Sequence, residues 1–562
     1  MSSTPQLSEV EDPELHRKDA TTRAKRERPA WLSRPWKRNE AKAPAGPNII
    51  LRPYVRPRQR WIGVAALIAL AFVVFIYGYA FGVLAPAQVI FFFFPILFLG
   101  ALCIWALPET GEAPIKLLQW FFFLHFLVMP LWPNYLAIDL PGLPWITLVR
   151  VTVFPLSFVL LVALSVSKTF RSELGLAVGS VPLLWKGVAA FTVYQALSIG
   201  LSNMPMFSIN HFISDLTGWT FVFFAGAWVF SKPGRTELWI SLLLGVAIIL
   251  SLIAAREFMN GEVLWAGHIP SFLAIQDDSV TLSLSAKMRA GTERYRAQAT
   301  YSTSLGLAEY MALCTPFALH FMAGPYKLIV RLGGALLLPL LFNTIVLTDA
   351  RLGMLGFLLS CLVYTFFWGV RRWRSNKAGL IGPVIVLAYP AISVAFLAAI
   401  IAVPRLRMMT LGGGNRNSST QARQEEVRRG LPMIFEHPFG HGIARGGSAL
   451  GYTNAKGTLS IDTYWLLIGL DYGIFGFIIF YGMVWAAIIA GSRAVLLGPR
   501  DREQTLVMPL AVALVVWFVI KAVYSDAENQ STVFMMLGAI SALVYRIKLA
   551  NGEVPAKSLA AR

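Results

Sequence analysis

The sequence predicts an all-α fold, a polytopic bundle of about fourteen transmembrane helices (12–14). Three observations carry this. The chain of 562 residues is 56% hydrophobic and only 14% charged, whereas a soluble domain carries about a quarter charged residues. The apolar residues fall in blocks, many of 18 residues or more, enough to cross about 30 Å of hydrocarbon as a helix. Alternating segments of about ten residues, the mark of a lipid-exposed barrel, are absent. Backbone inside lipid must satisfy its own hydrogen bonds, so long apolar blocks mean helices.

The blocks lie at 61–83, 86–107, 117–135, 144–167, 183–201, 209–230, 237–256, 301–323, 330–348, 352–370, 379–403, 464–490, 504–524 and 531–547. With the N-terminus inside, the short loops that land inside carry Lys168 and Arg171; Lys232 and Arg235; Lys327; Arg371, Arg372, Arg374 and Lys377; Arg493, Arg500 and Arg502. The short loops that land outside, near 84, 136–143, 202–208 and 525–530, carry no Lys or Arg. This is the positive-inside pattern. It puts both termini in the cytoplasm and both long loops, 257–300 and 404–463, on the far side. The resulting segments are a tail (1–60), N-terminal helices (61–256), the first extracytoplasmic loop (257–300), central helices (301–403), the large extracytoplasmic loop (404–463), C-terminal helices (464–548) and a short cytoplasmic tail (549–562). Proline at 130 and 133 interrupts the third block, and the fourth contains Arg150.

Residues 1–60 are compositionally distinct, with 14 Lys/Arg, 7 Asp/Glu, many prolines and no helical period. The stretch reads as a disordered cytoplasmic tail. It lacks the pattern of a cleaved signal peptide. The basic run Arg52–Arg60 abuts the first block, where it holds the N-terminus inside and can touch anionic lipid. The net charge of +19 sits at block ends, which favours membrane topology over a nucleic-acid partner. Cys103, Cys314 and Cys361 all lie in apolar blocks and form no metal or disulfide pattern.

Arginines at the outer ends of the blocks are the candidate site. Arg296 precedes the block at 301, Arg351 opens the block at 352, and Arg423 lies in the large loop. A guanidinium is a planar, permanently charged fork that suits a phosphate or pyrophosphate. Asp462 lies two residues before a block, where a carboxylate needs a partner or a task. Both roles are open to it, general base or arginine partner. His437 and His441 flank a Pro-Phe-Gly-His-Gly turn whose proline and glycines forbid a regular helix, which disfavours a zinc pair. His125, His211 and His320 lie within blocks and read as packed, hydrogen-bonded residues. The chain has no phosphate-binding Gly-x-x-x-x-Gly-Lys-Ser/Thr loop, no Asp-x-Asp and no Gly-x-Ser-x-Gly elbow. No cofactor or metal is called for.

These residues resemble the O-antigen ligase and O-antigen polymerase superfamily over roughly 236–548. The resemblance has three parts. Arg296 is followed by Thr300-Tyr301 and Leu307-Ala308-Glu309-Tyr310. Ala350-Arg351 opens a span where the family has Ser-Arg. In the large loop, Arg423 precedes a helix ending at His437-Pro438 and the turn Phe439-Gly440-His441-Gly442; Asp462, Trp465-Leu466 and Gly473-Ile474-Phe475-Gly476 follow. The third part is the most specific.

The resemblance implies a GT-C-like, metal-independent glycosyltransferase that takes a lipid-diphosphate-linked glycan at the outer face of a bacterial inner (cytoplasmic) membrane. It implies Asp462, Arg351 and Arg423 as catalytic residues, and Arg296, Arg351, Arg423, His437 and His441 as substrate-binding. Ligase members usually carry a histidine where Asp462 stands, which favours the polymerase side. The expected function is polymerisation of undecaprenyl-diphosphate-linked oligosaccharide repeats into exopolysaccharide, capsule or O-antigen. A ligase moving finished glycan to a lipid or protein acceptor is the alternative from the same family, and a lipid-linked oligosaccharide flippase or transporter the alternative from another class. Expected partners are the undecaprenyl-diphosphate-linked glycan, membrane lipid and a candidate chain-length regulator.

Overall fold

Every apolar block from residue 115 onward forms a helix in the computed structural model. The structure describes residues 99–109, 111–139, 145–275, 277–284, 294–404, 417–452, 461–499 and 501–553, with isolated positions at 65, 68, 69, 72 and 407. Contacts divide the chain into Met1–Arg58 and Gln59–Arg562, and all described residues belong to the second unit. The basic tail, most of the first two blocks and most of 549–562 lie outside the described residues.

In chain order the helices are α1 (Ile115–Leu131), α2 (Leu148–Val166), α3 (Lys168–Gly179), α4 (Pro182–Ser198), α5 (Pro205–Asp215) and α6 (Val222–Ser231), then α7 (Arg235–Asn260), α8 (Asp278–Leu284), α9 (Ser304–Ala323), α10 (Leu328–Leu347), α11 (Arg351–Ser375) and α12 (Ile381–Ala402). The large loop contributes α13 (Asn417–Glu436) and α14 (Gly446–Leu450), and α15 (Tyr464–Leu496), α16 (Val507–Ile520) and α17 (Gln530–Ala550) complete the bundle. A π-helical turn, Leu216–Phe221, joins α5 to α6. A two-stranded antiparallel ladder, Ala137–Ile138 with Ile146–Thr147, closes the 136–143 loop.

Among the described residues ten helices are long and apolar enough to span a membrane, or eleven if the pair Lys168–Gly179 and Pro182–Leu201, bent by 107°, makes one span. The expected fourteen is thus not reached within the described residues. Part of the difference is the first two blocks, and part is α1, whose 17 residues fall just short of a spanning length.

Local chemistry sets the helix starts. Thr147, Ser167 and Thr303 cap α2, α3 and α9 by accepting from the amides of Arg150, Phe170 and Gly306. Packing sets the layers. In α9, 89% of the spanning window is buried, against 6% in α12, so α9 is central and α12 faces lipid. The central helix can therefore carry polar residues that a peripheral one cannot. Its neighbour α11 approaches closely because Gly353 and Gly356 leave room for Ala308 and Ala312, which a Cβ would meet at 2.7 and 2.9 Å.

The basic short loops meet at one end. Lys232 pairs with Glu173 at 2.7 Å. Glu503 accepts from the amides of Gly234 and Thr236 and from Arg546. Arg502 lies 4.4 Å over the Tyr326 ring, and His320 bonds Tyr364 and Thr505. At the opposite end α15 is broken. Gly473 takes φ 63 and ψ −168 inside the helix, which frees the carbonyls of Leu470 and Asp471 and the amide of Ile474. The turn after α13 satisfies all three. The amides of His441 and Gly442 donate to Leu470 and Asp471, and the Ile474 amide donates to the Pro438 carbonyl.

The lock needs glycine on both sides. Gly440 (φ +82) and Gly473 (φ +63) are left-handed, and a Cβ on either would overlap the carbonyls of Asp471 or Pro438. Gly440→Ala or Gly473→Ala is expected to cost about 1–3 kcal/mol in backbone strain alone. Each should lower the unfolding midpoint of the detergent-purified protein well below that of Gly447→Ala, whose Cβ would meet nothing within 4 Å. Equal midpoints for the three variants would refute the lock.

Candidate functional site

A cavity of about 560 Å³ opens at the end of the bundle away from the basic loops; Thr303, Arg445, Asp462, Tyr524 and Asp526 line it together with Phe207. The broken helix and its lock build this cavity. The first half of α15 begins at Tyr464 and places Asp462 just before it. The locked turn runs on through Gly446, whose amide donates to the Asp471 carboxylate at 2.5 Å. This carries Arg445 onto the cavity wall, where its Nε donates to Asn203 at 2.7 Å.

Asp462 is held from the loop helix. Arg423 Nε lies 3.4 Å from its Oδ2, and its amide donates to Glu426 Oε2 at 2.9 Å. Arg423 and Glu426 are three apart on α13 and so share a face. Glu426 is only 1% exposed. Burial pushes its carboxyl up to about 7, and the neighbouring Asp462 charge adds to this; the Asp462 amide and Arg423 work in the other direction. Glu425, on the outer face between Arg428 and Arg429, is instead held down to about 2 by hydrogen bonds from both.

Behind the cavity lies a buried polar layer. Lys521 Nζ sits 3.0 Å from Glu309 Oε1, with both side chains fully buried, and also donates to the Asp526 carbonyl. Asn529 donates to Glu309 and to the Gly306 carbonyl, both at 2.9 Å, and accepts from Tyr301. Tyr524 donates to Asp526 at 3.0 Å and meets Thr303 at 2.9 Å. The segment 521–529 is thereby tied to the start of α9. The Tyr464 amide donates to the Lys521 carbonyl at 3.2 Å, which joins the start of α15 to the same layer.

The structure brings Arg423 and Asp462 together directly. Arg296 is held against the segment that leads into Arg351. Arg296 Nε donates to the Thr348 carbonyl at 3.0 Å, and Thr348 precedes Arg351 by three residues. Buried Glu257, at the end of α7, sets this segment by accepting from Tyr295 and from the amides of Gln298 and Ala299. Ser304, which bonds the Arg296 carbonyl, sits between the cavity residues Thr303 and Leu305. Arg296 thus lies beside the cavity, and neither Arg296 nor Arg351 is on its wall.

His437 and His441 belong to the lock. Their rings meet at 4.6 Å, and His441 Nδ1 bonds the Leu470 carbonyl at 3.0 Å; neither residue lines the cavity. Among the described residues no three His, Cys, Asp or Glu side chains converge as metal ligands would.

Glu426, Arg445, Lys521 and Asp526 were not singled out by the sequence, and Glu309 stood there only as part of the motif Leu307–Tyr310. A signal existed for some of them. Glu426 is one turn from Arg423, and Glu309 and Lys521 are ionisable residues inside apolar blocks.

Fold and site define a multi-pass helical membrane protein with a polar, arginine-bearing cavity at one end of its bundle. Residues 336–481 match the family model described as O-antigen ligase. The match covers Arg351, Arg423, His437, His441 and Asp462, and it supports the resemblance to the O-antigen ligase and polymerase superfamily. No curated protein matches the chain significantly.

Two outcomes follow from these contacts. Between about pH 4.5 and 7 the folded protein keeps a proton on Glu426 that the unfolded chain has lost, so stability falls as pH rises through that window. Glu426→Gln should flatten this part of the profile of unfolding midpoint against pH; an unchanged slope would remove Glu426 as its source. Lys521→Met leaves Glu309 without its buried cation and should cost about 3–5 kcal/mol, most of it recovered when Glu309→Leu is added. Thermal unfolding of the single and double variants checks this, and additive losses would contradict a coupled pair.

Proposed function

We infer that this protein is a membrane glycosyltransferase that polymerises undecaprenyl-diphosphate-linked oligosaccharide repeats into exopolysaccharide, capsule or O-antigen. The cavity would face the outside of the bacterial cytoplasmic membrane. The observation that carries this reading is the Arg423–Asp462 pair at a cavity large enough for sugar residues, within the stretch that matches the O-antigen ligase model. The positive-inside pattern of the short loops supports the orientation. The carboxylate at 462, where ligase members usually have histidine, supports polymerase over ligase.

In this reading an acceptor sugar hydroxyl gives its proton to Asp462 and attacks the anomeric carbon of the donor, with inversion. The new glycosidic bond forms as the bond from that carbon to the diphosphate oxygen breaks. The leaving undecaprenyl diphosphate takes the electron pair, and its charge is met by arginines fixed in advance. Arg445, on the cavity wall, and Arg423, beside Asp462, would take this role, with Arg296 and Arg351 as further candidates. Glu426 positions Asp462 through its amide. His437 and His441 contribute by holding the turn that carries Arg445. No metal is assigned a step. The description of the matched family keeps one second reading, transfer of finished glycan to a lipid or protein acceptor.

The test is a reconstituted membrane supplied with undecaprenyl-diphosphate oligosaccharide alone. Wild type should build a ladder of repeats. Asp462→Asn and Arg423→Ala should each slow it by about 100-fold or more. Transfer only when a lipid or protein acceptor is added would establish the ligase reading. Absence of any transfer, with the lipid-linked sugar relocated across the bilayer, would exclude a glycosyltransferase.

A further inference from the structure

A second cavity, about 340 Å³, lies on the other side of the 521–529 segment; its walls include His125, Thr147, Arg150, Phe154, Gly218 and Glu528. Its volume falls within the range of small-ligand sites, roughly 300–1,000 Å³. It shares no lining residue with the first cavity.

Its chemistry is asymmetric. Arg150 is half-buried in the first turn of α2, the positive end of a 19-residue helix where a cation is disfavoured. Its guanidinium donates to the Trp145 carbonyl at 2.8 Å, to Asn210 at 3.3 Å and to Ser214 at 3.2 Å. All three partners are neutral, and among the described residues no carboxylate forms an ion pair with it. A guanidinium and a helix N-terminus therefore add their positive potentials in one place.

His125 supplies the second, independent feature. It is 1% exposed. Its Nδ1 meets Thr152 Oγ1 at 3.1 Å, and that hydroxyl already donates to the Val149 carbonyl at 2.9 Å. Thr152 must therefore accept, which puts the proton of a neutral His125 on Nδ1 and leaves Nε2 as an acceptor. Nε2 is buried with no protein partner. It suits a ligand hydroxyl. Glu528, whose Oε1 accepts from the Ser302 amide at 3.0 Å, also lines the cavity. Phe154, 45% exposed, stands on the lipid-facing side of the cavity. Thr300 donates to the Pro130 carbonyl at the end of α1, which places this cavity at the same end of the bundle as the first.

We propose that the cavity around Arg150 and His125 is a second ligand site, taking a phosphate flanked by hydroxyls from the surrounding membrane. Arg150 and the α2 N-terminus take the phosphate, and His125 Nε2 accepts a hydrogen bond from a hydroxyl. Two lipids carry this chemistry, a glycerol-headed phospholipid and a polyprenyl-phosphate sugar.

The full chain in phosphatidylcholine nanodiscs is titrated with phosphatidylglycerol and, separately, with a polyprenyl-phosphate hexose, with binding read by native mass spectrometry. At least one should bind wild type, with affinity reduced at least tenfold in Arg150→Gln and several-fold in His125→Phe. The preferred probe identifies the source. Gly218→Phe is the second handle, because a Cβ at Gly218 meets only Ser531 at 3.7 Å, so the added ring can fill the cavity; it too should abolish binding. Binding unchanged in Arg150→Gln or Gly218→Phe, or no binding of either probe to wild type, overturns the proposal.

Discussion

The break in α15 at Gly473 is the constraint on which the rest of the site depends. A helix interrupted at this depth exposes backbone groups that lipid cannot satisfy. The turn His437–Gly442 supplies the missing partners, so the large loop is fixed to the bundle by main-chain hydrogen bonds rather than by side-chain contacts alone. Everything at the cavity inherits its position from that join. Arg445 follows the turn by three residues, α13 precedes it and carries Arg423 and Glu426, and Asp462 stands at the head of the same half-helix. The glycines are required because the two backbones touch where side chains would otherwise stand.

Charge placement follows from the same economy of partners. Glu309 and Lys521 are fully buried and satisfy one another, with Asn529 and the Asp526 carbonyl taking up the remaining valences. Such a pair adds little net stability compared with apolar packing. It does fix where the 521–529 segment lies, and that segment separates the two cavities. The pair therefore sets geometry on both faces of one wall. Arg150, at the helix start beyond that wall, has only neutral partners, and its position against the helix dipole is unfavourable unless something anionic visits.

Much of the fold was legible because lipid imposes a simple rule. Apolar blocks of sufficient length became helices at nearly the expected places, from Arg235–Asn260 to Gln530–Ala550. Where the reading fell short, the cause was local. The stretch after Lys168 looked like a basic loop, yet Ser167 caps it into α3. Of the site, the pairing of Arg423 with Asp462 could be read as one of two roles for the carboxylate, whereas the hold of Arg296 on the segment that leads into Arg351 could not. It depends on the Glu257 carboxylate reaching three groups of another segment, and no period or spacing encodes that. His437 and His441 drew notice as chemically capable residues, but their spacing reflects the geometry of a turn closing a broken helix.

The carboxylate at 462 has a consequence for the proposed reaction. Its Oδ2 lies 3.4 Å from Arg423 Nε, so the carboxylate is engaged by that guanidinium. A donor diphosphate would compete with it for that same guanidinium. As Arg423 turned toward the phosphates, Asp462 would give up its ion-pair partner while its amide stayed on Glu426. Arrival of the donor would thus release the carboxylate to accept from the acceptor hydroxyl only when there is a bond to break. A neutral histidine at this position would carry no such coupling, since an arginine beside it suppresses protonation rather than compensating a charge. In the proposed reaction the exchange of one arginine between two anions would join donor binding to deprotonation.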